Sequence, residues 1–290
     1  MVLKSLLAQA RETLSLVSSY RDPNVSEDYG ALIEACCRQE GLDFAPWADL
    51  KARLQETIHE KRITGIVAIG WQSLIPSGVW TRLPDRLVVF HDSLLPRYRG
   101  FAPVATGMIK GEDEFGVSVI YGGDGVDDGD IIIQAGTHLG PEVYMGEAIE
   151  RIGELYCEAA GALVLKMKSG AIKAQRQDGS KATYAIWRGP EDCRIEWRKS
   201  AREIYNLIRA VSYPYPGAFS YLRGKRIRIW RSEIVPEEVR FEIRDPGKIW
   251  RLEGGRPVVV CGEGLLQLSD MTDELGNSIL PVTRLRETFV

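Results

Sequence analysis

Apolar positions along the 290-residue chain change period several times, and each change marks an element. Between residues 29 and 40, Leu32, Ile33, Cys36 and Cys37 recur at helical spacing. Residues 63–69 instead form a continuous apolar run with β-branched side chains, the length of a buried strand. Residues 86–90 repeat that signal, Val117, Val119 and Tyr121 alternate, and residues 131–134 form a further short strand candidate. A long helix is expected over residues 144–167, where Ala148, Ile149, Ile152, Leu155, Tyr156, Ala159 and Leu163 share a face. Strands interleaved with helices predict an α/β unit over residues 1–168.

After Lys168 the pattern dissolves into polar residues with Ser169-Gly170, Asp178-Gly179-Ser180 and Arg188-Gly189-Pro190, which predicts a linker over residues 169–194. Residues 195–290 form the second expected unit. It opens with one amphipathic helix carrying Ala201, Ile204, Tyr205, Leu207, Ile208 and Val211, ended by Pro214 and Pro216. Short alternating strands follow at residues 219–222, 226–230, 258–261 and 265–268, the pattern of a small β-barrel. No internal repeat is evident.

Composition narrows the function class. With 44% hydrophobic and 27% charged residues, and no apolar run of bilayer-spanning length, the chain is expected to be soluble and not membrane-bound. Met1 is followed by Val-Leu-Lys-Ser-Leu-Leu, which lacks the basic start and long apolar stretch of a secretory signal, so a cytoplasmic location is expected. The five cysteines, Cys36, Cys37, Cys157, Cys193 and Cys261, have no zinc-site spacing and are read as reduced thiols in packed positions. A net charge of −3 argues against affinity carried mainly by a phosphate backbone. Lys166, Lys168, Lys173, Arg176 and Lys181 do form a basic cluster, which a solvated linker also explains.

Two stretches hold the reactive side chains. The first, residues 91–100, runs His91-Asp92-Ser93-Leu94-Leu95-Pro96-Arg97-Tyr98-Arg99-Gly100 from the end of a strand, where ligands bind in α/β sheets. Of three histidines, His59 lies in a polar helical stretch and His138 near a glycine, so His91 is the candidate for proton transfer. A strand-end histidine is also common as a structural residue. The second stretch, Gly122-Gly123-Asp124-Gly125-Val126-Asp127-Asp128-Gly129-Asp130, joins two candidate strands. Its carboxylates could orient a histidine, bind a cation such as calcium, or be solvated; their order does not match an EF-hand loop.

Taken in order, His91 to Pro96, Arg99-Gly100, Ala102-Pro103, Gly116-Val117 and Val126-Asp127-Asp128-Gly129-Asp130 resemble the signature of the folate-dependent formyltransferases. Gly70-Trp71-Gln72-Ser73-Leu74-Ile75-Pro76 is similar to the loop that holds the pterin ring of the folate in that family. Farther on, Gly189-Pro190-Glu191-Asp192, Ile195-Glu196-Trp197, Asn206 to Ala210 and Pro214 to Phe219 resemble its C-terminal β-barrel module, in wording closest to the amino-sugar N-formyltransferases.

The resemblance implies a Rossmann-like, mostly parallel sheet followed by an OB-like barrel. It implies N10-formyltetrahydrofolate as co-substrate, no metal, and a primary amine as acceptor. The amine attacks the formyl carbon, a tetrahedral oxyanion forms, and tetrahydrofolate leaves. His91 would donate to the oxyanion, Asp127 would hold the imidazole or take up protons, and Ser93 would support the turn. Gly70, Trp71, Gln72, Leu74, Ile75, Gly125, Val126 and Asp127 would hold the folate, and Arg97, Tyr98, Arg99 and Gly100 the acceptor. That acceptor is expected to be a nucleotide-linked amino sugar. Methionyl-tRNA is the alternative that the acidic balance disfavours, and a homodimer is left open.

Two features depart from the family pattern. Val89 stands where the family has an asparagine whose amide bonds the oxyanion, which raises the alternative of a catalytically impaired binding protein. The family's first strand is also missing: Leu3 to Arg11 reads as its first helix and residues 14–18 as its second strand. Either the true start lies upstream or another element fills the gap between strands.

Overall fold

A computed structural model of the chain describes residues 1–20, 29–71, 73–170 and 172–290. In chain order its elements are α1 (Val2–Ala10), β1 (Val17–Ser19), α2 (Tyr29–Glu40), β2 (Phe44–Pro46), α3 (Trp47–Glu60), β3 (Gly65–Ile69) and α4 (Ser77–Trp80). Next come β4 (Arg86–His91), β5 (Arg99–Gly100), α5 (Pro103–Lys110), β6 (Glu114–Tyr121), β7 (Ile131–His138), α6 (Met145–Ser169) and β8 (Tyr184–Ala185). The remainder is α7 (Ala201–Ala210), β9 (Ala218–Leu222), β10 (Lys225–Val235), β11 (Ile249–Glu253), β12 (Arg256–Val260) and β13 (Leu265–Thr272). Two compact units result, one of residues 1–104, 114–138 and 149–187, the other of residues 105–113, 139–148 and 188–290.

The continuous apolar runs near residues 65 and 88 become adjacent strands because each can be buried on both faces. β3 and β4 pair in parallel, Ile69 opposite Phe90, while β4, β6 and β7 form an antiparallel meander in the order β3-β4-β6-β7. The antiparallel pairing of β6 with β7 follows from connection length: the loop between them is too short for a parallel crossover. Leu87, Val88 and Phe90 of β4 and Val117, Val119 and Ile120 of β6 are buried at the centre. In this unit α6 turns Ile152, Leu155, Tyr156, Ala159, Ala160, Leu163 and Val164 inward, the face its periodicity predicts.

β1 and β2 pair in parallel as a separate two-stranded sheet, Val17 opposite Phe44. Among the described residues β1 therefore has β2 as its hydrogen-bonded neighbour and β3 has β4, with no ladder between β1 and β3. The ends of these strands meet through side chains instead. Tyr20 Oη donates to the Gly70 carbonyl at 2.9 Å, and the Trp71 ring lies edge-on to both Tyr20 and Trp47, at centroid distances of 5.4 and 4.6 Å. Val67, in the middle of β3, is 42% exposed. β2 and α3 escape the hydrophobic pattern because β2 has three residues and α3 is mostly polar, with Leu50 its buried contribution.

The second unit is a five-stranded antiparallel sheet in the order β11-β12-β13-β10-β9. Its last residues join the two edges. Tyr221 of β9 exchanges backbone hydrogen bonds with Val290 at 3.0 and 2.9 Å, Ile249 N of β11 donates to the Glu287 carbonyl at 3.1 Å, and Phe289 N donates to the Gly247 carbonyl at 2.8 Å. That closure leaves no open edge there and makes the sheet a barrel. One side is filled by Trp197, Ile204, Ile208, Phe219, Ile229, Leu266, Leu268, Met271 and Phe289. α7 supplies part of this core and starts in a capping box, Ser200 Oγ accepting from Glu203 N while the Glu203 carboxylate accepts from Ser200 N.

All five cysteines are free thiols, with Cys37, Cys193 and Cys261 buried. Burial pushes the Cys261 thiol up to about 12, so its reactive thiolate is absent near neutrality. Iodoacetamide at pH 8 should therefore label Cys36 and Cys157 in the native protein and leave Cys261 unmodified until denaturant is added. Intact-mass and peptide analysis before and after unfolding measures this, and native labelling of Cys261 would contradict the packing.

Candidate active site

The β-branched and apolar residues of β4 carry the chain to His91, which is 6% exposed and lies opposite Ser118 of β6. A turn follows that other side chains hold in place. Ser93 Oγ donates to the Arg97 carbonyl at 2.7 Å, and Ser118 Oγ donates to the Ser93 carbonyl at 2.6 Å while accepting from Leu95 N. Gln134 Nε2 donates to the Leu95 carbonyl at 2.9 Å. The turn delivers residues 98–100 back beside the histidine, and the Tyr98 carbonyl accepts a 2.8 Å hydrogen bond from His91 Nε2. With the proton on Nε2, a neutral ring has its lone pair on Nδ1.

The loop between β6 and β7 reaches the same place. Gly100 N donates to Asp127 Oδ2 at 2.8 Å, and that oxygen lies 3.6 Å from His91 Nδ1, just beyond hydrogen-bond length. Asp127 adopts φ +48°, a left-handed conformation that costs a non-glycine residue energy and needs surrounding contacts to persist. Gly129 makes that bend possible: a Cβ there would stand 1.8 Å from the Tyr121 carbonyl oxygen. Asp128 turns its carboxylate back onto Gly125 N, at 3.1 Å from both oxygens, and so shapes the loop. Among the described residues no group of three or more His, Cys, Asp or Glu side chains could hold a metal ion.

Arg99 is 7% exposed and buries its guanidinium against Gln177 instead of presenting it to solvent. Arg97 is exposed, with its guanidinium 5.2 Å from the centre of the Tyr98 ring. Gly70 directly follows β3, whose last residue Ile69 pairs with Phe90 of β4, so the chain leaves β3 level with His91. Leu74 in that loop is 81% exposed, Trp71 and Ile75 pack with Val89 against Ala68, Trp80, Leu83 and Leu87, and Val126 is 43% exposed. Exposed apolar surface at Leu74 and Val126, with glycine backbone at Gly70 and Gly125, fits a flat ring system with polar edges. Gln72 lies outside the described residues.

Tyr156 and Gln177 also reach the site, and neither lies in the two reactive stretches of the sequence. Tyr156, on α6, stacks on Phe90 at 5.8 Å and its Oη donates to Asp92 Oδ1 at 3.4 Å; burial, then the Asp92 charge, pushes its phenol well above the ordinary value. Its position on the inward face of the helix was readable, but not the strand end it meets. Gln177 lies in the segment whose composition reads as a linker. That segment is held to the first unit: β8 pairs in parallel with β5, Gln175 and Ile131 exchange backbone hydrogen bonds at 2.7 and 2.8 Å, and Thr183 Oγ1 accepts from Tyr98 N.

Residues 15–159 match the model of the formyl transferase family, and residues 189–283 that of the formyl transferase C-terminal domain. A methionyl-tRNA formyltransferase of Solibacter usitatus is 33% identical over 210 residues, 72% of this chain and 65% of that protein. One from Coxiella burnetii is 30% identical over 217 residues, 75% of this chain and 68% of that protein. Among solved structures, the chain is similar to the N-formyltransferase from Helicobacter canadensis in complex with folinic acid and dTDP-3-aminofucose, with a TM-score of 0.68 at 14% identity, over 92% of this chain and 94% of that one.

Proposed function

The chain belongs to the formyl transferase family, and from that premise we propose that it transfers a formyl group from N10-formyltetrahydrofolate to the primary amine of a nucleotide-linked amino sugar. The observation that carries the reaction is the His91–Asp127 pair, with Nδ1 and Oδ2 3.6 Å apart and each held from its far side. Because Nε2 donates to the Tyr98 carbonyl, its proton is not available to the oxyanion, the role the resemblance implies for His91; in this reading Nδ1 instead receives the proton leaving the attacking amine. The ring then carries a proton on both nitrogens, with the Tyr98 carbonyl facing one and the Asp127 carboxylate the other, until Nδ1 gives its proton to the folate nitrogen as the bond to the formyl carbon breaks. Asp127 stabilises that cation and fixes the orientation in which it forms.

Gly70, Trp71, Leu74, Ile75, Gly125 and Val126 are the residues that hold the folate in this reading, and the formyl carbon it supplies is what the amine attacks. Arg97 is exposed at the rim, suited to a phosphate of the nucleotide. Net charge of −3 supports a small acceptor over a nucleic acid. The second reading, methionyl-tRNA, is favoured by what the two curated relatives are called.

One assay separates them. Incubation with N10-formyltetrahydrofolate and a panel of nucleotide-linked amino sugars, with charged initiator methionyl-tRNA in parallel, should release tetrahydrofolate in a sugar arm alone. Release in the tRNA arm alone transfers the function to tRNA. No release in any arm from folded protein rejects both.

A further inference from the structure

Gln177 is buried in a segment where its neighbours Arg176 and Asp178 are exposed. Its amide uses its full hydrogen-bonding capacity. Oε1 accepts from Arg99 Nε at 3.2 Å and from Arg99 Nη2 at 2.7 Å. Nε2 donates to the Asp127 carbonyl at 2.8 Å and to the Gly129 carbonyl at 2.7 Å. The guanidinium can only donate and the carbonyls can only accept, so one orientation of the amide satisfies all four bonds.

Those four bonds join the two halves of the site. On one side is β5, whose neighbour Tyr98 fixes His91 through its carbonyl and whose Gly100 N fixes Asp127 Oδ2. On the other is the left-handed turn at Asp127, whose carbonyl Gln177 holds directly. We propose that Gln177 is a positioning residue for formyl transfer, one that clamps the Asp127 turn to β5 through Arg99 and thereby sets the separation of His91 Nδ1 and Asp127 Oδ2. The role rests on the reading of His91 and Asp127 given under Proposed function. Gln177 touches neither of their reacting atoms, so it acts on turnover through the placement of Asp127.

Two replacements test it. Gln177→Glu keeps an acceptor for Arg99 and loses both donors to the Asp127 turn, while Gln177→Leu removes both arms at similar volume. A displacement of about 1 Å at a reacting pair can cost about a hundredfold, so kcat should fall about 10- to 100-fold in both variants with KM for N10-formyltetrahydrofolate unchanged. A purely structural role would instead lower the amount of folded protein and leave kcat per folded molecule intact.

A second readout does not need activity. His59 and His138 are exposed, so the ring N–H protected from solvent exchange in a nitrogen-15 histidine spectrum belongs to His91. That signal should shift or broaden in both variants. Wild-type turnover in Gln177→Glu and Gln177→Leu, or an unchanged His91 signal in both, overturns the role of Gln177. If the wild-type protein transfers no formyl group to any acceptor, the functional reading fails, and the spectrum still decides whether Gln177 places the pair.

Discussion

Replacing His91 with alanine should lower kcat/KM for formyl transfer by about 10²–10⁴, the range that a positioned acid–base side chain supplies. The loss should fall on kcat, because the groups suited to the folate, Gly70, Trp71, Leu74, Ile75 and Val126, lie on loops that His91 does not build. Asp127→Asn keeps an oxygen that can accept from Gly100 N and removes the charge that faces the imidazole, so its expected loss is about a hundredfold. The two losses should not add. Once His91 is gone, Asp127 has no imidazolium to stabilise, and the double variant should be about as slow as His91→Ala alone. Single-turnover release of tetrahydrofolate measures all three proteins. Multiplicative losses would mean that the two side chains act independently, and a kcat for His91→Ala within about threefold of wild type would remove His91 from the reaction.

The residues at the centre of this prediction were legible in the sequence because backbone and chemistry agree there. An apolar run ends at His91 and a glycine-rich loop surrounds Asp127, so local pattern puts one at a strand end and the other between two strands, while the resemblance implies their pairing. Gln177 was not legible. Its burial comes from two carbonyls and a guanidinium more than 40 residues away, and no periodicity in its own segment reports them. The same argument explains the short elements. β2 and β5 have three and two residues, below the length at which alternation is visible, and each exists through its partner strand. The closing segment of the barrel is missed for a related reason. Phe289 and Val290 are a pair of apolar residues after a polar stretch, too short to show a period, and their partners lie at Gly247 and Tyr221. Arg99, which the resemblance assigns to the acceptor, is instead buried against Gln177, a partner 78 residues away that nothing in its own stretch reports.

Val89 is where sequence and structure together give a signed expectation. On β4 it shares a face with His91, two residues on, and its side chain packs against the apolar cluster of Ala68, Trp80, Leu83 and Leu87. A valine offers no donor at the position where the family's asparagine bonds the oxyanion. One such donor is worth about 3 kcal/mol, or about 10²–10³ in turnover. Val89→Asn should therefore raise kcat by up to about a hundredfold at unchanged KM for the folate. It should also lower stability by about 1–3 kcal/mol, because the amide enters an apolar cluster and is incompletely paired until the oxyanion forms. Activity and stability moving in opposite directions separate this from repacking: Val89→Leu, which changes shape without adding a donor, should lose stability and gain nothing. Thermal unfolding and single-turnover kinetics on the three proteins decide it. An unchanged kcat in Val89→Asn, with the stability loss present, would mean that the amide does not reach the oxyanion or that another donor already serves it, and the native site would then be complete without asparagine.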